Sequence, residues 1–203
     1  MVHSDAQIVD DDHHRKKESH PMDDGDPSED EQSGRSREDY LRKGLELLAE
    51  SGPRTLTAVR LAAELGVTTG SFYWHFKNVK DFHQAVRAYW RHIVVPEVIA
   101  EAMRQAETEG GSPIDRLGQL VWQTGIHRYD DAMRQWAENS EETAEVLKEA
   151  DAWRGQVMTA MLGGTETAAE LTDLIGAAWR GSSGMQNTQR RARLISMTTR
   201  GLE

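Results

Sequence analysis

Leu56-Thr-Ala-Val-Arg-Leu-Ala-Ala-Glu-Leu-Gly-Val-Thr-Thr-Gly-Ser-Phe-Tyr-Trp-His-Phe76 holds two short apolar patterns separated by one glycine and a pair of threonines. Thr57 starts a first helix whose apolar face reads Val59, Leu61, Ala62 and Leu65, and Gly66 stops it after about two turns. Thr68 starts a second helix, in which Phe72 and Phe76 stand at i and i+4 and form an inward pair. Helix, glycine-containing turn and helix at this length make a helix-turn-helix. The inward pair leaves Thr69, Gly70, Ser71, Tyr73, Trp74 and His75 on the remaining faces. Small hydroxylic residues at a helix start followed by a tyrosine and a histidine suit close approach to phosphates and base edges. Trp74 divides evenly between a groove-facing edge and core packing.

Working outward, Ser36 opens a preceding helix with Tyr40, Leu41, Gly44, Leu45, Leu47 and Leu48 at helical spacing, closed by Ser51-Gly52-Pro53. Asn78 opens a longer helix toward Glu109, in which Pro96 predicts a kink near Ile93 to Pro96 rather than a break, because the apolar pattern resumes at Val98, Ile99 and Met103. Further helices are predicted at Ile114 to His127, Asp131 to Glu138, Glu141 to Leu162, Glu166 to Arg180 and Gln186 to Thr199. Nothing reads as a strand. The fold class is therefore all-α: a three-helix helix-turn-helix domain, then a helical bundle, about nine helices altogether.

Charge is unevenly placed. Residues 1–35 hold eleven acids against four bases, a net of −7 out of −10 for the 203-residue chain. With almost nothing to bury, this acidic tail is expected to be disordered, and a solvated tail is favoured over weak metal binding at His13, His14 and His20. Residues 36–92 carry nine bases and six acids, whereas residues 93–203 carry eleven and seventeen, so positive charge is confined to the segment around the opening stretch. Cysteine is absent, which removes disulfides and thiolate metal sites. No apolar run reaches the length of a bilayer span and no signal peptide is apparent, so a cytoplasmic chain without membrane contact is expected. His83, His92 and His127 have no carboxylate partner at ligand spacing, so neither metal nor cofactor is expected. No Ser-His-Asp order or Gly-rich phosphate loop is present, and an enzyme is the remote alternative.

Residues 37–92 closely resemble the DNA-binding domain of the TetR family of transcriptional regulators. Leu56 to Val67 matches the first motif helix and turn, and Thr68-Thr-Gly-Ser-Phe-Tyr-Trp-His-Phe-Lys-Asn78 matches the recognition helix and the entry to the fourth helix. The resemblance implies a sequence-specific regulator, most often a repressor released from its operator by a small-molecule effector. The alternative is a DNA-binding regulator governed by a protein partner or by its acidic tail. Carried over residue by residue, Thr57, Thr68, Thr69, Gly70, Ser71, Tyr73, Trp74, His75, Lys77 and Lys80 become the DNA-contacting set, with Arg35 and Arg37 as weaker flanking contacts. The family commonly has a lysine where this chain has Val79, which leaves Lys77 and Lys80 as the substitutes.

The implied organisation is an acidic tail over 1–35, a helix-turn-helix domain over 36–82 and a ligand-binding and dimerisation domain over 83–203. Trp122, His127 and Trp136 are the pocket candidates, and the aromatic content suggests an apolar or aromatic effector. The apolar stripes of Glu166 to Arg180 (Ala168, Leu171, Leu174, Ile175, Ala178) and Gln186 to Thr199 suit a two-fold homodimer interface. A homodimer would place two recognition helices about 34 Å apart on a palindromic or near-palindromic double-stranded operator.

Overall fold

In a computed structural model of the chain, residues 35–180 are described. Among them the secondary structure is entirely helical: α1 (Arg37–Ser51), α2 (Ala58–Leu65), α3 (Thr69–His75), α4 (Val79–Tyr89), α5 (Val95–Glu109), α6 (Pro113–Gln123), α7 (His127–Ala137), α8 (Glu141–Met161) and α9 (Glu166–Arg180). The acidic tail, the Gln186–Thr199 helix and the dimer face built on it lie outside the described residues.

Local chemistry sets the ends of the first four helices. The Ser36 hydroxyl accepts from the Asp39 amide while the Asp39 carboxylate accepts from the Ser36 amide, a reciprocal cap. That backbone bond, with the Ser36 hydroxyl, holds the Asp39 carboxyl below its ordinary pKa. Tyr40, Leu41, Gly44, Leu45, Leu47 and Leu48 are buried, matching the periodicity of the sequence. At the end of α2, Gly66 takes φ 71°, and the amides of Gly66 and Val67 return to the carbonyls of Ala63 and Ala62. This left-handed stop sets the angle between α2 and α3. The buried face of α2 begins one residue earlier than the spacing suggested: Ala58, Leu61, Ala62 and Leu65 face inward, and Val59 is 69% exposed. Ala58 stands in the i, i+3, i+4, i+7 register that Val59 does not share.

Gly44 permits the close crossing of α1 and α4. A Cβ there would lie 2.7 Å from Phe82 Cζ and 3.1 Å from Val86 Cγ2, and both side chains are fully buried. Gly44→Ala is therefore expected to lose about 1 to 3 kcal/mol through overpacking, despite the better helix propensity of alanine. Chemical denaturation measures this, and a gain in stability would show that α1 and α4 separate without penalty.

The helix that begins at Val79 is not broken at Pro96. Residues Trp90–Val94 form a π turn in which the Val95 amide donates to the Trp90 carbonyl, and α5 continues beyond it. Proline has no amide to donate, and the wider turn accommodates the helix ladder around that gap. Between α6 and α7 the sequence reading requires correction: the helix ends at Gln123 rather than His127, and α7 begins at His127 rather than Asp131. Gly125, at φ 70°, makes the turn.

One buried cluster takes in Tyr40, Leu48, Phe72, Phe82 and Trp90 together with Met133, Trp136 and Ala150. Helix α7 packs on α1 and α8, α5 packs on α6, and α8 packs on α9.

Candidate nucleic-acid interface and interior cavity

The seven residues of α3 are too few to hold a helix in isolation, so its shape depends on what it buries. Phe72 and Phe76 are 0% and 1% exposed and meet each other at 5.2 Å between centroids, with Phe82 5.5 and 4.9 Å away and Tyr40 5.9 and 6.0 Å away. These edge-on and tilted contacts lock the inner face of α3. Its outer face carries Tyr73 at 54% exposure and Trp74 at 77%, which settles the Trp74 alternative in favour of solvent.

The other motif residues divide by position. Thr57, Thr68, Thr69, Gly70, Lys77 and Lys80 are exposed. Thr57 caps α2 by accepting from the Arg60 amide, whereas Thr68 makes no side-chain cap. Ser71 is buried at 7% beside Phe72, so the outer surface of the first turn consists of Thr69 and Gly70. His75 is half-buried: its ring lies 5.4 Å from Tyr40, and Nε2–H donates to the Arg35 carbonyl at 3.0 Å. It thereby ties the end of α3 to the segment preceding α1. Arg35 donates to the Leu65 carbonyl, and the Arg37 guanidinium sits over Phe76 at 5.1 Å, so both arginines brace the motif. Asn78 caps α4 by accepting from the Asp81 amide, and the Asp81 carboxylate accepts from the Lys77 amide. Val79 packs against the core. Lys77 and Lys80 are left projecting on either side of it.

Beyond the motif, a cavity of about 180 Å³ opens between the π turn and helices α5 to α9. Trp90 and Val94 of the π turn, with Ile99, Ile114, Val121 and Met158, supply apolar wall. One side is ionic. Arg134 donates from Nε to Asp130 at 3.0 Å and from Nη1 and Nη2 to the two oxygens of Asp151 at 3.0 and 2.9 Å. Arg154 Nη1 donates to Asp130 at 2.6 Å and Asp151 at 3.3 Å, and its guanidinium lies 4.9 Å from the Trp90 ring centre. Desolvation opposes the charge on Arg134, but the fork onto Asp151 and the field of Asp130 outweigh it and raise its pKa.

Of the three pocket candidates, His127 lines this cavity. Trp122 stands behind it, with its ring 4.2 Å from the imidazole. Trp136 lies elsewhere: it is buried against α4, edge-on to His83 at 5.3 Å and beneath the Arg87 guanidinium at 5.1 Å. His83 Nε2–H in turn donates to the Leu56 carbonyl at 3.0 Å, so Trp136 is a structural joint between α7 and the start of the motif. The ionic network was not singled out from sequence. Its local halves, Asp130 with Arg134 at i+4 and Asp151 with Arg154 at i+3, are visible there, but their cross-pairing is a product of the α7–α8 packing. No group of three or more metal-ligating side chains is found among the described residues, and none of their helices is long and apolar enough to cross a membrane.

Residues 41–86 match the family described as bacterial regulatory proteins, tetR family. The chain is also 52% identical over 50 residues to the tetracycline repressor protein class C of Escherichia coli, a match covering 25% of this chain and 23% of that protein.

Proposed function

We propose, from the match of residues 41–86 to the tetR family, that the chain is a sequence-specific DNA-binding transcriptional regulator, acting as a homodimeric repressor that a small molecule releases from its operator. The observation that carries the reading is the division of α3, with Phe72 and Phe76 buried inward and Tyr73 and Trp74 exposed outward beside Thr69 and Gly70. An aromatic, hydroxylic outer face on a helix fixed from behind suits insertion into a major groove, with Lys77 and Lys80 reaching flanking phosphates. Two copies are needed because one seven-residue helix reads few base pairs.

The effector reading is supported by the location of the cavity. Trp90 and Val94 line it and belong to the helical path that carries Phe82 and Val86 against α1. An occupant that displaces Trp90 acts on α4, and one that displaces α7 acts through Trp136 and His83 on the Leu56 carbonyl. Coupling of about 1 to 3 kcal/mol, typical of such switches, corresponds to roughly 5- to 150-fold release. The relative's printed name concerns tetracycline, but the matched length is about that of the helix-turn-helix segment, so it carries no effector over to this cavity.

Fluorescence anisotropy on DNA selected from a random pool tests the function. Binding should be sequence-dependent and should weaken with salt at a log-log slope of about −0.9 per neutralised phosphate. Tyr73→Ala should weaken specific binding by about 1 to 3 kcal/mol with the fold intact, since Tyr73 is exposed. Unchanged affinity in that variant would remove Tyr73 from the interface, and absence of sequence preference at every salt concentration would overturn the proposal.

A further inference from the structure

The polar groups of the cavity are unequally spent. Its lining holds three aspartates against two arginines, a net charge of −1 with His127 neutral. Both guanidinium charges are offset: Arg134 donates three N–H groups to Asp130 and Asp151, and Arg154 bridges the same two carboxylates through Nη1 while lying over Trp90. Thr172 accepts from the Thr159 hydroxyl. Two further lining groups can accept. Asp173, exposed at the cavity edge, makes no ion pair there. His127 donates from Nδ1 to the Val121 carbonyl at 3.1 Å, which leaves Nε2 as an acceptor in the neutral ring. The charge left uncompensated in the lining is therefore negative, beside walls of valine, isoleucine and methionine.

We propose that the cavity selects small organic cations: a single apolar ring carrying a short ammonium arm, with the ring against the π-turn wall and the ammonium at Asp173. Size supports one ring, because an apolar cavity of about 150 Å³ accommodates benzene and this one measures about 180 Å³. Charge supports the cation, because Asp130 and Asp151 already offset both arginines, so an anion would meet the uncompensated charge of Asp173 while an ammonium would pair with it. The proposal deepens the effector reading and rests on it for its regulatory meaning, while the chemical selectivity stands by itself.

Titration calorimetry of the full chain with phenethylammonium, phenethyl alcohol and phenylacetate provides the test, since the three probes share a ring and differ in charge. The cation should bind at least about ten-fold more tightly than either of the others, in the range expected for one charge-assisted hydrogen bond. Asp173→Asn should remove that preference while leaving a weaker, charge-indifferent affinity for all three. Gly118→Leu provides the control for location: a Cβ at Gly118 meets nothing within 4 Å, so leucine fills the cavity without disturbing α6 and should abolish binding. Equal affinities, preference for the anion, no binding of any probe, preference surviving in Asp173→Asn, or binding surviving in Gly118→Leu would each overturn the proposal. If the cation binds as expected and operator affinity does not change, the selectivity stands and the effector reading fails.

Discussion

Replacing Arg134 with methionine is expected to lower the free energy of unfolding by about 3 kcal/mol, the lower end of what removal of one partner from a buried ion pair costs. Methionine keeps most of the side-chain volume, so the loss reports charge rather than a void. The wild-type guanidinium donates three bonds, and its removal takes them from Asp130, 5% exposed, and from Asp151. Because the Arg134 pKa is raised in the fold, its contribution is complete at neutral pH and fades only in strong alkali, above the ordinary guanidinium range. Arg134→Lys should recover part of the loss, since an ammonium restores the charge but cannot fork onto both oxygens of Asp151. Urea denaturation at neutral pH measures both variants. A loss below 1 kcal/mol in the methionine variant would show that solvent takes over the pairing.

Phe72→Ala should be at least as damaging, at about 3 to 5 kcal/mol, the range for emptying a buried aromatic site. Phe72 is fully buried, with rings of Tyr40, Tyr73, Phe76 and Phe82 around it. Only Phe76 and the His75 bond to the Arg35 carbonyl would then hold the seven-residue α3, so its amides should exchange with solvent far faster than those of α1. Operator binding should disappear together with that protection. If the variant lost the stability but kept the amide protection of α3, the helix would owe its shape to Phe76 and the His75 bond to Arg35 instead.

The helix-turn-helix was legible because its signals are local. Ser36, Thr57, Gly66 and Asn78 each act within four residues along the chain, and the Phe72–Phe76 pair states its own inward face. Errors arose where packing between helices decides. Val59 fits an apolar pattern yet is exposed, because the partner surface of α2 lies under Ala58. Trp136 has the size of a pocket residue and sits on the expected helix, but its face of α7 meets α4 rather than the cavity. The Gly125 turn was hidden by apolar neighbours that continue a helical pattern through it. The ionic side of the cavity required knowledge of which face of α7 meets α8, and spacing along one helix does not contain that.

The π turn at Trp90–Val94 has a consequence for how this chain tolerates changes in length. A helix advances about 100° per residue, and a π turn absorbs one residue more than an α turn. Phe82 and Val86 face the motif before the turn, and Val95, Ile99 and Ala102 face inward after it. Those two stripes are kept in phase by residue count rather than by the identity of any side chain. Deleting the exposed His92 would let the π turn close to an α turn with the two stripes still in phase, whereas inserting one residue there would leave every apolar residue intact and still rotate the downstream wall away from the cavity. The joint between the two halves is thus sensitive to an added residue in a way that substitution scanning would not reveal.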